Sequence, residues 1–343
     1  MDRVTTFPWF QTPYMALSRW GLLGHGRFER DLTWYAHEML DCYTDWKHPQ
    51  GNILMSLSGS GLRCGQAMQA RGGRFICDRG SSHIRFQNEI LKDEFARWGE
   101  EFRGIDPRML AKEEAEYEAS DIITVPSTFA YRSFIEMGVP DNKIRTIPYG
   151  VNLHLFEKVT DPPSDKFEVL FVGQVCFRKG VPDLLEAFRR FSHSNKHLTV
   201  IGSMSPEMER YLRFTPPPEN VEFLRPIPQS ELKQLMSRSH VMVLPSIEEG
   251  MALVQAMALA CGCPVIGTTN SGAEDLFTDG IEGFIVTIRD PDAITEKLQQ
   301  LSGDPEKRRS MSEAGLARVA DLDGWHSYGL QITKMFQEVI IGG

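Results

Sequence analysis

Two short stretches hold residues whose types and spacing suit a phosphorylated, hydroxyl-bearing ligand. In PSIEEGMALVQAMALACGCPV (245–265) an acidic pair precedes a glycine and an amphipathic run. A helix beginning at about Gly250 would offer free N–H groups and a positive dipole end, which suit a diphosphate. Gly250 and Ala252 let the backbone come close to a ligand, and Glu249 can accept hydrogen bonds from sugar hydroxyls. The alternative is that Glu249 only caps the helix. In FVGQVCFRKGVPDLLEAF (171–188) the loop residues Arg178, Lys179 and Gly180 follow a strand that ends at Gly173 and precede a helix. Lys179 there can act as a point charge toward phosphate. The alternative is a solvated basic pair on a surface loop.

Both stretches need strands to aim them. From residue 166 onward the apolar runs are EVLFVG (168–173), LTVIG (198–202), VEFL (221–224), VMVLPS (241–246), PVIG (264–267) and GFIV (283–286). They alternate with the amphipathic segments 182–192, 230–238, 250–260, 291–302 and 305–320. Nearly all-apolar strands separated by helices predict a parallel sheet covered on both faces. That is a doubly wound α/β domain, with ligands at the carboxyl ends of its strands. Upstream, 52–61, 73–78 and 121–127 read as strands, and 92–102 and 110–120 as helices. The first 50 residues give no opening strand, and 27–46 look helical and aromatic. The segment FEKVTDPPSDKF (156–167), with its prolines and charges, is the best linker. The expected organisation is therefore an N-terminal domain (1–155), a linker (156–167) and a C-terminal domain (168–322), with a hinge near 150–167.

Composition narrows the classes. A chain of 343 residues suggests two domains. The net charge of −9 argues against a nucleic-acid binder, whose affinity rests on cations. Residues 1–100 are nearly balanced, with twelve Lys and Arg against eleven Asp and Glu; a basic face there would suit peripheral contact with an anionic membrane. No apolar run approaches the ~18 to 20 residues that span a bilayer, and the start lacks the apolar core of a secretory signal. A cytoplasmic protein is expected, at most peripheral to the inner membrane face. None of the six cysteines forms a CxxC pair, which points to reduced, buried thiols.

Together the two loops resemble a known family. A strand, G-x-x-x-x-x-K-G and a helix are followed roughly 65 residues later by P-S-x-x-E-G-x-x-L-V-x-x-x-A-x-A-C-G-x-P-V. This is similar to the retaining glycosyltransferases of family 4, which have the GT-B fold. The segments SGAEDLFTDGIEGFIV (271–286) and 120–156 extend the resemblance to about residues 75–340. It implies two Rossmann-like domains facing a cleft, with residues 323–343 as a helix crossing back to the first. It implies that Lys179 holds the donor diphosphate, assisted by Gly173 and Arg178. Glu249 would contact the donor sugar, with Gly250 and the backbone of Met251, Ala252 and Leu253 beside it, and Glu274 would be a further donor contact. His83, after the strand in CDRGSSHIRFQ (77–87), would reach the reacting sugar from across the cleft.

The resemblance also implies transfer of a hexosyl group from a donor such as UDP- or GDP-hexose to a saccharide, lipid or small-molecule acceptor. Configuration would be retained, with no protein nucleophile, metal or cofactor. Three features depart from the family pattern. Met257 stands where a second Glu usually grips the ribose, Gln174 replaces an Arg, and the opening strand with its Gly-rich turn is missing. The N-terminal domain is accordingly expected to be shortened. The alternatives are a nucleotide-sugar-binding relic without turnover, or a phosphorylase of the same fold.

Overall fold

The computed structural model describes residues 27–47, 50–320, 322 and 324–341. The expectation of no opening strand therefore falls partly on residues outside the described ones. After helix α1 (Arg27–Lys47) come β1 (Ile53–Leu57), α2 (Leu62–Ala70), β2 (Arg74–Asp78), α3 (Ile84–Arg97) and α4 (Pro107–Ala119). Then follow β3 (Ile122–Val125), α5 (Thr128–Glu136) and β4 (Ile144–Thr146). The helix expected at 92–102 lies further upstream, as α3. The His83 ring accepts the Arg85 N–H at its start, and Trp98 and Gly99, the latter at φ 72, end it.

Strands β1 to β4 are parallel and lie in chain order. Side chains alternate across a strand, and this sheet uses both sides. Phe75, Cys77 and Ile123 pack with Ile84, Tyr117 and Phe134 of the connecting helices. Ile76 and Ile122 face the other way and meet Met335. Met335 belongs to the last helix, α12 (Gly324–Ile341), so the end of the chain covers the face that the connecting helices leave open.

The second sheet is built from β5 (Phe167–Val172), β6 (Lys196–Ile201), β7 (Val221–Leu224), β8 (Val241–Leu244), β9 (Val265–Thr268) and β10 (Gly283–Val286). Its helices are α6 (Val181–Arg190), α7 (Pro206–Phe214), α8 (Gln229–Arg238), α9 (Val254–Ala260), α10 (Pro291–Gly303) and α11 (Pro305–Ala320). All six strands are parallel, in the order β10-β9-β8-β5-β6-β7. The order reverses between β5 and β8, which makes this a doubly wound sheet. One face packs Val169 and Phe171 against Leu184 and Phe188 of α6 and Leu298 of α10. The other packs Leu170 and Met242 against Met236 of α8 and Leu259 of α9. Burial on both faces is why these strands carry so few polar residues. Each fully buried Phe contributes about 1.5–3 kcal/mol.

The two sheets belong to halves in direct contact. Arg97 at the end of α3 forms a two-pronged pair with Asp183, in the first turn of α6, at 2.6 and 2.7 Å. Arg289 binds Glu94 at 2.7 Å, and the Phe95 ring meets Phe177 edge-on at 5.2 Å. Five cysteines are buried and the sixth is partly so, all as free thiols. Among the described residues no helix is long and apolar enough to cross a membrane.

Candidate active site

The loops that follow β5 and β8 meet where the strand order reverses, the position at which an open α/β sheet leaves a crevice. Gly180 joins them. Its φ of 66 is left-handed, and a Cβ there would overlap the carbonyl oxygen of Pro245. Only glycine lets the loops touch. The Ile247 N–H then donates to the Arg178 carbonyl at 2.9 Å. A second close approach lies alongside, where Gly202 at the end of β6 presses on the Gly173 carbonyl.

This contact brings four charges together. Lys179 Nζ is paired with Glu249, and both side chains are only 15% exposed. Arg178 reaches Glu249 at 3.4 Å and the Glu248 carboxylate at 3.1 Å. Burial, and then the neighbouring Arg178, bring Lys179 down to a pKa of about 8. It stays mostly charged at neutral pH, with Glu249 as its counter-ion. An entering diphosphate could take the place of Glu249 at Lys179 and leave that carboxylate free to accept hydroxyls.

The turn after Glu249 differs from the sequence expectation. The helix starts at Val254 rather than near Gly250 and has seven residues, with Leu253 at its N-cap. Residues 250–253 are held instead by tertiary contacts. The Ala252 N–H donates to the Ser271 carbonyl at 3.1 Å, and the Gly250 carbonyl accepts Ser127 Oγ at 2.5 Å. Met251 and Ala252 are buried. The Ala252 amide is thus already committed, and Gly250 is glycine because it packs on the Gly80 carbonyl of the first half. Gln255 is fully buried and ties this turn to Ser271, while Met257 lies partly buried among apolar neighbours.

Glu274 stands on a turn that packs against Gly250 and Met251. It pairs with Arg132 of α5 at 2.7 Å, and the adjacent Asp275 accepts the Thr128 N–H and hydroxyl. The His83 ring sits in the core of the first half, with the Tyr117 and Phe134 rings each 4.9 Å away. Burial lowers its pKa to about 4, so the imidazole is neutral. Its loop neighbours Ser81 and Ser82 are the ones that reach the second half, where both hydroxyls donate to Glu248. Sequence reasoning missed Glu248, Ser81, Ser82 and Ser127. The only signal was that Glu248 doubles Glu249 and that the serines follow a strand. Among the described residues no group of three or more His, Cys, Asp or Glu could hold a metal ion.

Comparison with known proteins agrees with this architecture. Residues 155–318 match the family of glycosyl transferases group 1. The chain is 30% identical over 219 residues to the capsular polysaccharide biosynthesis glycosyltransferase CapM of Staphylococcus aureus, a match covering 59% of this chain and 57% of that protein. It is 26% identical over 239 residues to the GDP-mannose-dependent monoacylated alpha-(1-6)-phosphatidylinositol monomannoside mannosyltransferase of Corynebacterium glutamicum, covering 63% and 62%. The chain thus spans about three-fifths of the length of these curated relatives. Among solved structures, sucrose-phosphate synthase of Thermosynechococcus elongatus superposes with a TM-score of 0.71 at 23% identity, over 90% of this chain and 79% of that one. Anabaena HepE in complex with UDP-glucose gives 0.67 at 15% identity, over 88% and 82%. These likenesses speak for the fold. With its two parallel sheets meeting at the loops of Lys179 and Glu249, the chain has the GT-B fold, and its residues 155–318 match the group 1 glycosyl transferases.

Proposed function

We propose that this chain transfers a hexosyl group from a nucleotide-diphosphate sugar to an acceptor hydroxyl with retained configuration. The observation that carries the proposal is the meeting of Lys179 and Glu249 at the reversal of the second sheet. The named activities of CapM and the mannosyltransferase, and the UDP-glucose complex of HepE, support a nucleotide-sugar donor. In the reaction the bond from the anomeric carbon to the diphosphate oxygen breaks. The acceptor oxygen bonds to the same face of that carbon, and its proton passes to the departing diphosphate. Lys179 neutralises the charge growing on the leaving group, without need of a metal or cofactor, and Glu249 orients the sugar. Acceptors of the saccharide, lipid or small-molecule class fit this scheme. The site of action is the cytoplasm, with peripheral contact to the inner membrane face where the acceptor is a lipid.

Purified protein offered a panel of nucleotide sugars, with products read by mass spectrometry, tests the proposal. Lys179→Ala should lower transfer about a hundredfold or more, since a preorganised donor at the leaving oxygen is worth roughly that. Turnover equal to wild type would remove the diphosphate role. Glu249→Gln should impair transfer while leaving affinity for the bare nucleotide diphosphate intact; lost nucleotide binding would mean that Glu249 does not face the sugar. A second reading, binding without turnover, draws on Met257 at the position of the family's second Glu. Under that reading one nucleotide shifts the melting temperature while no donor is consumed.

A further inference from the structure

Glu248 is assigned no role in the proposed transfer, yet it is the most completely enclosed charge at the junction, with a side chain that is 0% exposed. Every group around it is a donor. Its Oε1 accepts Ser81 Oγ at 2.5 Å, Ser82 Oγ at 2.7 Å and the Ser82 N–H at 3.3 Å. Its Oε2 accepts Gln87 Nε2 at 2.8 Å and faces Arg178 Nε at 3.1 Å. The serines and Gln87 belong to the first half, and Arg178 to the second. An ionised carboxylate has about four acceptor sites and no proton to give, and no other side chain of that size satisfies such a set. Burial opposes the charge, but Arg178 and the hydroxyl and amide donors outweigh it, and the carboxyl is held below its ordinary range.

We propose that Glu248 is a positioning residue that docks the β2 loop of the first half onto the donor-side loop and thereby fixes Glu249 and Lys179 in place. The connection is covalent and short. Glu248 precedes Glu249, and Arg178, its partner in the second half, precedes Lys179. The clamp therefore immobilises the backbone of both residues that carry the site. The orientation of Gln87 is set from behind: its carbonyl oxygen accepts Arg79 at 2.9 Å, and Arg79 is itself paired with Glu113 at 2.7 Å. This turns the Gln87 amide nitrogen toward Glu248. The docking role stands on geometry alone; its consequence for turnover rests on the proposed transferase activity.

The arrangement predicts a reciprocal rescue. Glu248→Gln sets an NH2 group against donors, whereas Glu248→Gln combined with Gln87→Glu returns an acceptor facing both residue 248 and Arg79. The experiment is hydrogen–deuterium exchange of the full chain, followed in segments 79–87 and 246–250, with β6 as internal reference. Glu248→Gln should speed exchange in both segments about tenfold or more, and the double variant should restore most of the protection while β6 stays unchanged. Ser82→Ala probes the same clamp from the other side and decides the matter if Glu248→Gln does not fold. Protection unaltered in the folded variants, or no recovery in the swap, overturns the proposal. In transfer assays kcat should fall, and the Kd for a nucleotide diphosphate should rise in step with the loss of protection. Lost nucleotide binding with protection intact would make Glu248 a direct ligand and also overturn it. A wild type inert toward every donor would sink the transferase assignment and leave the exchange result to decide the clamp.

Discussion

Lys179 is a cation in a place that disfavours cations. Burial and then Arg178 bring it to about 8, and Glu249 is its only ion-pair partner among the described residues. The sign of the resulting pH dependence is definite. Below about pH 8 the ammonium is charged and available to an entering diphosphate; above it the charge is lost. Affinity for a nucleotide diphosphate, followed by calorimetry, should therefore weaken as pH rises through 8. In Lys179→Arg the decline should disappear over the same range, because a guanidinium does not titrate there. A wild-type affinity flat from pH 7 to 9.5 would show that Lys179 does not carry the anion.

His240 offers a residue-scale test of a different kind. Its ring stacks on Phe167 at 4.8 Å, its Nδ1 accepts the Glu168 N–H, and burial lowers its pKa from 6.5 to about 4. Between those values the unfolded chain takes up a proton that the folded one refuses, so stability falls as pH drops through the window. His240→Asn keeps an acceptor but cannot titrate. Its stability deficit at pH 7.5 should shrink by about 2 kcal/mol at pH 5, read from denaturant melts. A constant deficit would mean that the imidazole is not held neutral.

At the scale of elements, the site depends on contacts between loops more than on any helix. The seven residues of α9 are too few to be stable alone, and the turn before it is held by Ser271 and Ser127 from other segments. Gly180 is the most demanding of these contacts. Gly180→Ala would force a Cβ into the Pro245 carbonyl at a left-handed φ. The cost should exceed the roughly 1 kcal/mol of an ordinary unfavourable Gly→Ala change, lowering Tm by several degrees and nucleotide affinity with it. Gly303→Ala, at the end of α10 with open space around it, is the control and should change neither.

For the molecule as a whole, the two halves are not independent layers. The first sheet packs its connecting helices on one face, and α12, which follows the second half in sequence, lies on the other. Met335→Ala should cost about 2–5 kcal/mol. A chain ended at residue 323 should bind a hydrophobic dye strongly, because Ile76 and Ile122 lose their cover. An unchanged melt in the first, or a dye-silent truncated protein, would contradict this account. The same interlocking explains the closed contact of the halves, in which the Arg97–Asp183 pair and the Glu248 clamp lie along one seam.

The second sheet was legible in the sequence because its strands other than the edge strand β7 are largely buried on both faces, and each appears as an apolar run bounded by turn residues. The first was less so: β4 has three residues, and the helix after β2 starts earlier than its amphipathic pattern suggests. Sequence alone also marked Lys179 and Glu249, since each stands on a loop that follows an apolar strand. What only the tertiary structure decided was their partners. Glu248 binds Ser81 and Ser82 from 166 or more positions away, and Gly250 is glycine for the sake of Gly80. Periodicity records which face of an element is buried. It carries no information on which distant loop fills the space beyond that face, because that depends on how two separately formed halves fit together.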